Sequence, residues 1–123
     1  IHVDRGRSGG ASFVPRLSDE ARKELLSEIV RLLSHEDRIL PGGLIYYTDI
    51  LFNPSVAMRL GYAMASMFHG SAPDVVMTSE VKGIPLAMST AFAMGIPLAG
   101  CRFRNRPSDG SAVAVHYPRK SAM

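Results

Sequence analysis

Ser79, Glu80, Val81, Lys82 and Gly83 are the residues of this chain best placed to do chemistry. They stand between the run Asp74-Val75-Val76-Met77 and a helix-forming stretch that opens with Ile84-Pro85. The β-branched run reads as a buried strand. Pro85 suits the first turn of a helix, where a backbone N–H has no intrahelical acceptor. A short polar turn between the two leaves N–H groups beside the positive end of a helix, with Lys82 as a point charge. That combination suits a phosphate or diphosphate, whose oxygens take strong, charge-assisted hydrogen bonds. Gly83 is expected where backbone must approach a ligand closely. Taken alone, the motif also fits an ordinary βα turn that happens to carry a lysine.

Other side chains fall near that turn. Arg102 ends a later apolar run on the same side, where its guanidinium reaches a second phosphate or a base, or else lies exposed at a strand end. Arg104 and Arg106 follow in a polar turn. They meet DNA phosphates, close over a ligand, or are simply solvated. Tyr117 stacks on a base and closes the site, or packs on the sheet. His2, His35, His69 and His116 lack metal-site spacing, and Cys101 has no partner cysteine, so no metal site is expected. Cys101 is expected to be inert core. No nucleophile–base pair is visible, which gives hydrolysis no support.

The elements that must position these residues alternate. Residues 1–16, with Gly6, Gly9, Gly10 and Pro15, read as an irregular arm. Ser18 caps a helix over 19–34, with Leu25, Leu26, Ile29, Val30, Leu32 and Leu33 on one face. Pro41-Gly42-Gly43 breaks the chain, and residues 44–48 are a strand by residue type. Asn53 and Pro54 start a largely apolar helix to about residue 68. A strand over about 74–78, a helix over 84–94 stopped by Gly95, and a strand over 98–103 follow. Gly100 marks a bulge or a close packing point in the last strand. Tyr46 and Tyr47 must face opposite ways, one into the core. Residues 111–117 are a strand or an extended loop. This order predicts an α/β fold with a parallel sheet flanked by helices, its ligands beyond the carboxyl ends of the strands.

Size and composition limit the reading further. With 123 residues there is room for one domain but not comfortably for two. Hydrophobic residues at 46% and charged residues at 20% exclude a disordered chain. No apolar run approaches the roughly 20 residues that span a bilayer, and no signal peptide is visible. A single cysteine fits a reducing compartment, so a cytoplasmic location is expected. The net charge of +3 is mild, but Arg102, Arg104, Arg106, Arg119 and Lys120 cluster late and Arg5, Arg7 and Arg16 early. Such clusters are either surfaces for nucleic acid and phosphorylated ligands or solvated ends. The chain has no initiator methionine and stops at Met123 without an element terminator, so it reads as a fragment.

Three segments together resemble the purine operon repressor family, which carries the phosphoribosyltransferase fold. They are the run Asp37-Arg38-Ile39-Leu40-Pro41-Gly42-Gly43-Leu44-Ile45-Tyr46-Tyr47-Thr48-Asp49-Ile50-Leu51, the pair Asp74 to Thr78 with Lys82 to Ala87, and Asp109-Gly110-Ser111-Ala112-Val113-Ala114-Val115-His116-Tyr117. The resemblance implies an N-terminal arm and amphipathic helix over 1–36 and the first part of a phosphoribosyltransferase-like domain over 37–123. Ser79, Glu80, Val81, Lys82 and Gly83 would be its pyrophosphate loop. It further implies a dimeric, non-enzymatic repressor of purine genes. Its effector would be phosphoribosyl pyrophosphate, arriving with magnesium held by its own oxygens, and its partners DNA and a second copy, with no membrane.

Two segments that the family needs are not in this sequence. One is the winged helix that binds DNA, expected upstream. The other is the strand ending in paired acids with its phosphate-cradling turn, expected downstream. Glu80 also departs from the small neutral residue expected there and is closer to the loop of adenine phosphoribosyltransferases. An enzyme moving a phosphoribosyl group to adenine or xanthine is therefore the alternative expectation.

Overall fold

The computed structural model describes residues 2–3, 9, 11–12, 16–104, 106, 108, 110 and 112–116. Its centre is a two-stranded parallel sheet, β5 (Val76–Ser79) beside β6 (Leu98–Cys101), joined through helix α4 (Ile84–Met94). The register pairs Val76 with Leu98 and Ser79 with Cys101, so both strands finish at one edge. The expected α/β class with parallel pairing therefore holds. Both strands are shorter than expected. Pro97 lends its carbonyl to the Val76 N–H at 2.9 Å but has no N–H of its own, so the ladder starts there and not at Asp74. At the far end the chain leaves the ladder after Cys101. Gly100 is neither bulged nor tightly packed, since a Cβ there would meet nothing within 4 Å.

Helix α3 (Pro54–Met67) lies against α4, and this seam holds most of the core. Asn53 starts α3 as its spacing predicts, its Oδ1 accepting the Ser55 N–H at 3.1 Å ahead of Pro54. Ala57, Gly61 and Ala65, four residues apart, are all buried on one stripe. On α4 the buried residues are equally small: Ala87, Ser89, Thr90, Ala91 and Ala93. The hydroxyls of Ser89 and Thr90 donate to the carbonyls of Pro85 and Leu86 at 2.9 and 2.7 Å, so neither is buried unsatisfied. Gly95 ends the helix with φ +69°, a conformation that favours glycine.

Helix α1 (Asp19–Leu33) is capped by Ser18, whose Oγ accepts the Ala21 N–H at 3.1 Å. It packs on α3, where Glu28 takes both terminal nitrogens of Arg59 at 2.6 and 3.1 Å. That guanidinium holds the Glu28 carboxyl below its usual range. The apolar stripe is narrower than the sequence suggests: Leu25 is buried, but Leu26 and Val30 face outward.

Residues 44–48 depart most from expectation. They form no strand of the parallel sheet. Leu44–Ile45 (β4) pairs antiparallel with Ile39–Leu40 (β3), and both strands are exposed. Gly42 at φ +87° and the Gly43 N–H bonded to the Leu40 carbonyl at 3.2 Å make a type II turn after Pro41. Arg38 then closes the segment, giving two bonds to Asp49 at 2.6 and 2.8 Å and one to the Tyr46 carbonyl at 3.2 Å. Thr48–Leu51 is the short helix α2. A local turn and a local ion pair thus outweigh β-propensity here. Tyr46 and Tyr47 are both exposed, so neither is core. A small antiparallel pair, His2–Val3 (β1) with Ala11–Ser12 (β2), lies at the start of the chain. Residues 112–116 form no strand, and Val113 and Val115 are exposed.

Candidate functional site

The turn after β5 lies where sequence reasoning puts it, at the carboxyl edge of the parallel pair and the N-terminus of α4. Its five residues play different parts. Ser79 is the last residue of β5. The Glu80 N–H extends the ladder by bonding the Cys101 carbonyl at 3.1 Å, so it is not available to a ligand. The N–H groups of Val81, Lys82 and Gly83 have no hydrogen-bond acceptor among the described residues, while the Val81 carbonyl accepts from Ile84 at 3.2 Å. The Glu80–Val81 peptide is cis. Three consecutive unpaired amides at a helix N-terminus are the donor set that an anion needs. Their number is smaller than the five-residue loop implies.

Lys82 is held from another part of the chain. Its Nζ lies 5.1 Å from the centroid of the Tyr47 ring, within range of a cation–π contact. Sequence reasoning missed Tyr47 as a neighbour of the loop, because nothing in a separation of 35 residues encodes the contact. Gly83 is favoured by something other than the close ligand approach expected. Its φ of −75° is open to any residue, but a Cβ would sit 2.6 Å from Thr78 Oγ1. The chain's own strand, not a ligand, crowds this position.

Arg102 is brought to the loop, as expected. Its Nε lies 3.4 Å from Glu80 Oε2, and the Phe103 N–H donates to Glu80 Oε1 at 3.4 Å. Arg104 and Arg106 are exposed beyond β6, and Arg104 has no ion pair or hydrogen bond to the loop among the described residues. Tyr117 lies outside the described residues. Cys101 is exposed rather than core, because among the described residues no further element covers the end of β6. Among the described residues no three His, Cys, Asp or Glu side chains gather as a metal site. No helix among them is long and apolar enough to cross a membrane.

No protein-family model matches the chain. Individual relatives do. The purine biosynthesis transcriptional repressor PurR of Bacillus subtilis is 38% identical over 112 residues, which cover 91% of this chain and 39% of that protein. The chain is a homologue of the purine biosynthesis regulators. The purine biosynthesis transcriptional activator PurR of Lactococcus lactis is 41% identical over 112 residues, 91% of this chain and 41% of that protein. A xanthine phosphoribosyltransferase of Geobacillus thermodenitrificans is more distant, at 28% over 82 residues covering 64% of this chain and 42% of the enzyme. The chain thus spans about two-fifths of the length of the curated relatives it matches. Within that span it carries the parallel strands and the loop just described.

Proposed function

We propose that this chain is part of a transcriptional regulator of purine biosynthesis genes, acting as a repressor, and that its phosphoribosyltransferase-like domain binds phosphoribosyl pyrophosphate as effector. The observation that carries the ligand is the run of three amides, Val81 to Gly83, without an acceptor among the described residues, in the turn that also carries the lysine Lys82. A diphosphate supplies several acceptor oxygens and the negative charge that a helix N-terminus favours. Homology to regulators from two genera supports the regulatory half of the reading. Those relatives include a repressor and an activator, so homology alone does not choose the sense of control. In this reading the protein pairs with a second copy. It meets DNA through a winged helix belonging to the intact protein, and Arg104, Arg106 and the other late basic residues add salt-dependent phosphate contacts.

The second reading is a phosphoribosyltransferase acting on xanthine or adenine. The observations favouring it are the xanthine enzyme among the relatives and the carboxylate of Glu80 in the loop. One experiment on the intact protein separates the two. Operator-DNA binding is measured with and without phosphoribosyl pyrophosphate at two salt concentrations, beside a base-turnover assay. Effector-dependent release without turnover is the expected result. Turnover at ordinary enzymatic rates overturns the regulator in favour of the enzyme.

A further inference from the structure

Glu80 puts a carboxylate at the mouth of a turn whose other features suit an anion. Its backbone is fixed by the ladder bond to Cys101, so its side chain projects from an anchored position and not from a free loop. Both carboxylate oxygens are engaged at the end of the neighbouring strand. Oε2 faces Arg102 Nε and Oε1 accepts from the Phe103 N–H, each at 3.4 Å. Arg102 follows Cys101, the partner of Ser79, so a cation and an amide stand at the same edge of the sheet as the turn. A diphosphate seated on Val81 to Gly83 would find the neighbouring cation already engaged by a negative group. Both Glu80 and Arg102 keep more than a third of their side-chain surface exposed, or close to it, at 39% and 34%. Such a pair is held by a modest energy and can be exchanged.

We infer that Glu80 is a built-in competitor for the diphosphate: its carboxylate occupies Arg102 and the Phe103 amide in the free protein, and a bound diphosphate takes Arg102 in its place. Glu80 thereby sets the effector concentration at which the site fills. The exchange is one anion for another on the same donors, with no bond made or broken. The inference rests on the diphosphate reading of the turn and adds to it a residue that weakens binding where the other loop residues strengthen it. Glu80 acts through Arg102 and through charge repulsion. Its removal therefore changes affinity in the direction opposite to that expected for a ligand-holding residue.

The test uses the intact protein with Glu80→Gln and Glu80→Ala, alone and combined with Arg102→Gln. Binding of inorganic pyrophosphate and of magnesium phosphoribosyl pyrophosphate is followed by calorimetry, with thermal melting as the check on folding. The Gln variant keeps the shape and removes the charge; the expected result is binding about fivefold tighter, the ceiling for an exposed pair. The gain should fall below about twofold when Arg102 is already replaced, because the two residues act as a unit. In the unsubstituted protein the Phe103 amide resonance should move as ligand is added. Wild-type binding with an equal or weaker Glu80→Gln variant overturns the competitor and leaves the diphosphate reading intact. Absence of binding in every variant, wild type included, overturns both.

Discussion

Gly61 and Gly83 are both crowded glycines, yet the regions they serve are built to opposite tolerances. A Cβ on Gly61 would lie 2.5, 2.6 and 2.8 Å from the Cβ, carbonyl carbon and carbonyl oxygen of Ser89. Two of these are backbone atoms of a packed helix and cannot rotate away. A Cβ on Gly83 would meet Thr78 Oγ1 at 2.6 Å, the end of a side chain, with the next atom at 3.5 Å. The α3–α4 seam is thus set by backbone contact. At the turn, the atom that would crowd the added Cβ is a side-chain oxygen that can give way. A rigid seam under an adjustable turn is the arrangement a ligand-responsive domain needs.

The sharpest way to break this contrast is Gly61→Ala. It should destabilise the protein by about 2–3 kcal/mol through overpacking, read as a shift in the denaturation midpoint. Adding Ser89→Gly should recover only part, because the backbone clash persists. Gly83→Ala should stay within about 1 kcal/mol of wild type, since Thr78 can turn aside and alanine restricts the unfolded chain. In a Thr78→Ala background the same change should be stabilising. Equal losses at both glycines would erase the difference between seam and turn.

Helix starts and stops were legible because their signals are local. Ser18, Asn53 with Pro54, and Gly95 all do what their positions predict. The parallel strands were legible as apolar runs, but their ends were set by Pro97 and by the departure at Arg102. The strand expected over 44–48 failed for want of a long-range partner: Gly42, Gly43 and the Arg38–Asp49 pair fold that segment back on itself. At the site, the unpaired amides and Lys82 followed from the turn's residue types. The position of Arg102 beside the turn was expected too, but its pairing with Glu80 and the Tyr47 contact to Lys82 were not, because each joins segments more than 20 residues apart in sequence.

Two smaller effects sharpen the picture of the turn. Tyr47→Leu removes the ring beneath Lys82, an exposed cation–π contact worth about 0.5–1 kcal/mol. Effector affinity should change by no more than about fivefold, with Tyr47→Phe near wild type, in a calorimetric comparison. The Asp49 and Glu28 carboxyls are held below their ordinary range by hydrogen bonds from Arg38 and Arg59. Their contribution is therefore complete above the unfolded-state value near pH 4 and is lost as pH falls through the lower folded values. Denaturation midpoints should drop on that acid side, and less steeply in Arg38→Gln.

The most direct measurement is a nitrogen-15 amide titration of the intact protein with magnesium phosphoribosyl pyrophosphate. The Val81, Lys82 and Gly83 resonances should move together with one midpoint, while Glu80, tied to Cys101, moves less. Saturating effector that leaves those three amides unmoved would contradict the diphosphate cradle.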